Sequence, residues 1–119
     1  MFASPLALKN AAAATVNFVR LSMDAVKSIY ASTNGTLSTP NTLQIGHQMT
    51  TAVEGSDRHL VKIAKTVLDA QSRPRTVVMN FTLSVPRVGI ARVDVDDVIA
   101  ELKEFLVTAN VDALLRGEL

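Results

Sequence analysis

Cysteine is absent from this chain of 119 residues, which excludes disulfides, thiolate metal sites and a cysteine nucleophile. No apolar run approaches the ~20 residues of a membrane-spanning helix, and the N-terminal Met-Phe-Ala-Ser-Pro lacks the basic start and apolar core of a signal peptide. The expectation is a soluble chain made in a cytoplasm, with no membrane partner. There is no glycine-rich phosphate loop, no nucleophile elbow and no suggestively spaced Ser/His/Asp set, so an enzyme is the remote reading and no cofactor is expected. His47 and His59 have no Cys or Asp-rich neighbours at ligand spacing and read as ordinary strand histidines. Asp94, Asp96 and Asp97 form a carboxylate cluster, but helix capping accounts for them without a metal.

With 48% hydrophobic and 19% charged residues, the composition is that of one globular domain spanning 1–119. The net charge of +1 conceals a division along the chain. Residues 1–57 are balanced. Residues 58–92 carry Arg58, Lys62, Lys65, Arg73, Arg75, Arg87 and Arg92 against Asp69 alone, whereas residues 93–119 carry Lys103 and Arg116 against seven acids. A phosphate-bearing partner would be drawn to the middle of the chain and repelled by its end.

The middle also holds the clearest pattern. From Thr76 to Pro86 the residues alternate, placing Val77, Met79, Phe81, Leu83 and Val85 on one face of a strand and Thr76, Asn80, Thr82 and Ser84 on the other. That is a sheet with a dry side and a wet side, and the wet side has no aromatic anchors and few acids nearby. Earlier runs fit the same sheet. Leu6–Lys9 and Thr15–Ser22 read as a hairpin, although the alanines 11–14 also suit a helix. Lys27–Ala31 reads as a short strand followed by an Asn34-Gly35 turn of positive φ. Thr42–Thr50 places Leu43, Ile45 and Met49 on one side and Gln44, Gly46 and Gln48 on the other. After a turn at 54–57, Arg58–Leu68 places Val61, Ile63 and Val67 inward and Arg58, Lys62 and Thr66 outward. Gln71–Arg75 reads as a basic loop.

The tail changes period. Val95, Val98, Ile99, Leu102, Phe105 and Leu106 form an amphipathic helical stripe, with Asp94 as N-cap and Asp96 and Asp97 in the first turn. Asn110 would cap a second, short helix carrying Val111, Leu114 and Leu115, with Gly117 just past its end. A strand-rich body over 1–92 and a helical tail over 93–119 predict an α+β fold, an antiparallel β-sheet followed by two C-terminal α-helices. Two helices, one of them short, are few to cover six strands, and the last strand risks an open edge. A homodimer joined through sheet edges, with each helix pair reaching across to the partner's apolar face, would solve both problems.

The order of strand-rich body, basic loop, Asn80-Phe-Thr-Leu-Ser-Val-Pro86, acid-rich helix start and Asn110-Val-Asp-Ala-Leu-Leu-Arg-Gly-Glu118 resembles the coat proteins of small positive-strand RNA bacteriophages, the leviviruses. The likeness covers almost the whole chain and is strongest from Arg58 to Glu118. It implies an interlocked dimer sharing one continuous sheet, with helices outside. Further dimers would close an icosahedral capsid assembled in a bacterial cytoplasm. It also implies that the inner sheet face binds genomic RNA and an RNA hairpin, making the coat a translational repressor.

Under that resemblance Asn80 corresponds to an RNA-contacting asparagine of the last long strand, with Thr82 beside it. Lys62 corresponds to a phosphate-binding lysine and Arg58 extends its row. Gln44, Gln48, Thr76 and Ser84 complete the RNA-facing set. The Arg73-Pro74-Arg75 loop would lie around the symmetry axes of the shell between dimers. Val78 departs from the pattern, since relatives place a stacking aromatic there, and Leu60 falls where a polar residue is expected. Such a cationic face with few stacking groups favours backbone attraction over sequence reading. Without the resemblance, Arg58, Lys62 and Lys65 read more readily as a solvated strand face that discourages aggregation. The competing function is a dimeric α+β RNA-binding protein that does not assemble further.

Overall fold

The computed structural model describes residues 1–119. Six strands follow one another along the chain: β1 (Leu6–Lys9), β2 (Thr15–Met23), β3 (Lys27–Ser32), β4 (Asn41–Gln48), β5 (Ser56–Leu68) and β6 (Pro74–Pro86). Each pairs antiparallel with the next in a single sheet of order β1 to β6, so the N-terminal hairpin is continuous with the larger sheet. Two helices close the chain, α1 (Arg92–Phe105) and α2 (Thr108–Leu115). This is the α+β order that the patterning implies.

The alternation in β4 to β6 is what makes one face dry. Leu43 and Ile45 are buried together with Val16, Phe18 and Tyr30, and Leu6 and Val61 pack against them. Tyr30 is wholly inaccessible, and its hydroxyl accepts a hydrogen bond from the Arg20 guanidinium at 3.0 Å. The same guanidinium donates to the Phe2 carbonyl, tying the N-terminal segment to the dry side. Met49, expected on this face, lies beyond the end of β4 and is exposed.

The core stops halfway across the sheet. Only six of the 119 residues are buried, and none lies in β5, β6 or either helix. On β6, Phe81, Leu83 and Val85 are half-covered, while Val77 is 73% exposed and Met79 57% exposed. Within one chain, therefore, the helices do not cover the apolar sheet face. α1 meets the sheet beside the end of β6, where Val95 and Val98 line a shallow groove with Leu83 and Val85. The radius of gyration is 16.8 Å, against about 13.5 Å for a compact domain of this length.

Several local expectations need correction. Neither Asn34 nor Gly35 has positive φ; among non-glycine residues it falls at Ala13 and Ser72, both at 59°. Each ends a tight turn built the same way. Asn10 Oδ1 accepts the N–H groups of Ala12 and Ala14, and Asp69 Oδ1 accepts those of Gln71 and Arg73. The Asx side chain supplies the turn's acceptors, and the following left-handed residue restores the strand twist. The basic loop is shorter than expected, because Pro74 and Arg75 are already the first residues of β6, opposite Leu68 and Val67. Arg73 and Arg75 both bond Asp69 Oδ2, at 3.1 and 3.2 Å, and so are not free loop cations.

Helix α1 begins before its expected cap. Ala91 is the N-cap, and the Asp94 carboxylate reaches back to accept the Ala91 N–H at 3.1 Å. The earlier start also lets Arg92 pair with Asp96 one turn on, at 2.8 Å. Asn110 sits inside α2 and caps the preceding helix instead, donating from Nδ2 to the Phe105 carbonyl at 2.7 Å. Gly117 ends α2 as expected. At φ 74° it lets its own N–H reach the Leu114 carbonyl and that of Glu118 reach Ala113, the paired bonds of a Schellman ending.

The Asp69 turn gives a pH prediction. The Arg73 N–H holds the Asp69 carboxyl below its usual value, partial burial opposes this, and the Gln71 N–H and the two guanidinium groups add to the lowering. A carboxyl lowered in the folded state contributes stability that is complete above its unfolded pKa, about 3.9, and is lost as pH falls below it. Amide exchange at Gln71 and Arg73 is expected to accelerate in Asp69→Ala at pH 7, relative to wild type. Wild-type protein should show the same loosening of the turn only on acidification past about pH 4, once exchange is corrected for its intrinsic pH dependence.

Candidate nucleic-acid interface

The wet face is built by register. Gln44, Lys62 and Asn80 lie directly opposite one another across β4, β5 and β6. Gln48, Arg58 and Ser84 form a second row, and Gly46, Leu60 and Thr82 lie between the two. Thr42, Ala64 and Val78 continue the face beyond Asn80, followed by Thr66 and Thr76. All eight residues singled out from the sequence thus share one face. At a ~3.3 Å rise, Thr76 to Ser84 spans roughly 26 Å, and the three strands together are about 10 Å wide between outer axes.

Most of these groups are unoccupied by other contacts. The side chains of Gln44, Gln48, Arg58, Lys62, Asn80, Thr82 and Ser84 make no hydrogen bond or ion pair within the chain, and all but Gln44 are exposed. Thr76 is the exception, sharing a hydroxyl contact of 2.8 Å with Thr66. No acid occupies this face of β4 to β6. Asp57, the acid within β5, falls on the opposite face, where its Oδ1 accepts the Thr50 N–H at 2.8 Å. The result is an acid-free polar surface bearing two free cations.

Register changes the membership of the set. Lys65 lies on the dry face, opposite Asn41 and Val77, and so does not share a solvated face with Arg58 and Lys62. Lys27 replaces it. Paired with Gly46, it extends the row of Leu60 and Thr82 onto β3 and adds a third exposed cation. The signal was available: Tyr30, the fully buried large side chain of β3, sets the parity that puts Lys27 on the wet side. Leu60 and Val78 flank the Lys62–Asn80 row and are 42% and 46% exposed. The chain's few aromatic residues lie elsewhere, with Phe18, Tyr30 and Phe81 on the dry face. Arg73, Pro74 and Arg75 lie at the β5–β6 turn, where Pro74, opposite Leu68, follows the Thr66–Thr76 row and Arg75, opposite Val67, turns to the dry face.

The histidines also gain a relationship that their sequence spacing hides. His47 and His59 are directly opposite on β4 and β5, with Nδ1 atoms 2.9 Å apart. They lie on the dry face.

No protein-family model and no curated protein matches the sequence. Solved structures do. A chain from the virus-like particle of bacteriophage AVE019 superposes with a TM-score of 0.79 at 10% identity, covering 96% of this chain and 94% of that one. The virus-like particle of Wenzhou levi-like virus 1 gives 0.68 at 18% identity over 95% and 96%. The coat protein of bacteriophage EMS014 gives 0.66 at 16% identity over 87% and 72%. The fold shared over almost the whole chain is therefore that of levi-like bacteriophage coat proteins, a six-stranded antiparallel sheet followed by two C-terminal helices.

Proposed function

We propose that this chain is a capsid protein that dimerises, assembles into a closed virion shell and holds genomic RNA against its wet sheet face. The observation that carries the reading is the end-to-end structural correspondence with a virus-like-particle chain, 96% of one against 94% of the other. Two features support the dimer. Strand β6 is a 13-residue edge with no neighbour on its outer side, the kind of edge that pairs with another chain unless blocked. The apolar stripes of α1 and α2 are uncovered, with Val98 57% exposed and Leu115 82% exposed. Pairing β6 with its copy and laying each helix pair over the partner's Val77 and Met79 would close both surfaces.

The acid-free face would then be doubled and continuous. Its three cations and free amides suit phosphates and exposed base edges. The lack of an aromatic platform favours general RNA packaging over tight hairpin discrimination, so a repressor role rests on Asn80 and Thr82 alone. Arg73 and Arg75, clamped by Asp69, would present a stiff turn to neighbouring dimers.

Expression in bacteria followed by electron microscopy tests the proposal. Uniform closed particles are expected, with a 260/280 nm absorbance ratio well above that of protein, from copurified RNA. Discrete dimers forming no particles at any salt or RNA concentration would favour a non-assembling RNA-binding protein. A well-folded monomer at micromolar concentration in sedimentation would overturn the dimer itself.

A further inference from the structure

We propose that His47 and His59 form a two-ligand site for a late first-row divalent cation, clipping β4 to β5 on the dry side of the sheet. The argument starts from register. The His47 N–H donates to the Val26 carbonyl at 2.8 Å, toward β3. The His47–His59 pair is therefore a non-hydrogen-bonded pair of the β4–β5 ladder, the type in which facing side chains come closest. The rings meet edge to face with centroids 5.1 Å apart. Their Nδ1 atoms stand 2.9 Å apart. Two metal–nitrogen bonds of ~2.05 Å, opened by 90° to 110°, place their nitrogens about 2.9–3.4 Å apart. The two Nδ1 atoms already stand at the separation that a chelate requires.

In the metal-free pair one Nδ1–H donates to the other Nδ1. Binding replaces that hydrogen bond with two coordination bonds, moves the donor's proton to its Nε2 through solvent, and displaces two waters from the hydrated cation. Both rings stay neutral. The surroundings leave the remaining coordination positions to water. Leu83 lies opposite His59 on β6, and Ile45 and Val61 form the next row. Asp57 has Oδ1 committed to the Thr50 N–H, and Asp24, in the groove beside His47, takes the amides of Val26 and Lys27. Imidazole donors select Cu²⁺, Ni²⁺ or Zn²⁺ over Mg²⁺ and Ca²⁺, which need oxygen ligands. His47 is exposed, so a hydrated ion can reach the pair.

Both ligands belong to one chain, so the site needs no residue from a partner and no bound RNA. Isothermal titration of the full-length, untagged protein with CuCl₂, NiCl₂ and ZnCl₂ at pH 7.5 is expected to show one site per chain. It should follow the order Cu²⁺ above Ni²⁺ and Zn²⁺, with no heat from MgCl₂. His47→Gln and His59→Gln each remove the chelate and should weaken binding about a hundredfold or more. Far-UV circular dichroism identifies any variant that fails to fold. In that event, resonance shifts of both histidine rings on Zn²⁺ addition to wild-type protein decide the question. No binding to wild type, equal binding by folded variants, or Zn²⁺ shifts confined to residues other than these rings would overturn the site.

Discussion

A chain truncated after Thr108 is expected to lose soluble dimers entirely and to aggregate on expression. The deletion removes Val111, Leu114 and Leu115, the apolar residues of α2. Within one chain it should cost little, because the buried core of Val16, Phe18, Tyr30, Leu43 and Ile45 receives nothing from either helix. If the helices cover the partner's sheet, the loss is severe. Three aliphatic side chains at about 1.5–3 kcal/mol each give roughly 4–9 kcal/mol per chain, incurred twice in a symmetric dimer and comparable to the whole stability of a small domain. Phe105→Asp should shift the dimer toward monomer without removing the helix. Sedimentation velocity and solubility read both variants. A soluble truncated chain with wild-type association would show that the helices do not mediate dimerisation and would sink the cross-covering arrangement.

The contrast between the buried and the bare half of the sheet also explains what the sequence made legible. Period-two alternation in β4, β5 and β6 is a backbone property, enforced whenever one face is to be dry, so Leu43, Ile45, Val61 and Phe81 declared their side without any knowledge of neighbours. The helical stripe from Val95 to Leu106 was equally plain. What pattern could not show were features made by pairing. Lys27 was placed on the wet face by its pairing with Gly46, with only Tyr30 as a hint in the sequence, whereas Lys65 shares the inward parity of Val61, Ile63 and Val67 and was legible from β5 alone, before the β4–β5 register set it opposite Asn41. His47 and His59 are twelve residues apart and met only through that same register. Helix ends were misplaced for a related reason. Asp94 and Asn110 are both good caps by residue type, but each bonds backward to a group one turn or more upstream, a choice settled by where the preceding segment enters.

The two cations at the centre of the wet face carry the second large effect. Lys62→Ala is expected to weaken RNA binding about tenfold, the scale of one charge-assisted contact, and by a similar factor for every RNA tested. It should also flatten the plot of log affinity against log salt by about 0.7–0.9 per lysine, as one phosphate contact and its released counterions disappear. Arg58→Ala, one row away and equally free of internal partners, should do the same, and Lys62→Ala with Arg58→Ala should strip RNA from purified particles. Lys65→Ala is the matched control, since it removes the same charge from the same strand on the opposite face and should leave affinity unchanged. Lys27→Ala should behave like Lys62→Ala although no resemblance pointed to it, because pairing with Gly46 puts it on the wet face. Asn80→Ala separates attraction from reading. Its carboxamide sits beside Lys62 with both donor and acceptor unspent, so a base-reading role predicts about tenfold loss on a hairpin selected from a randomised pool and little on a scrambled one. Equal losses on both hairpins would make Asn80 a backbone contact, and no loss from Lys62→Ala and Arg58→Ala together would remove RNA from this face altogether.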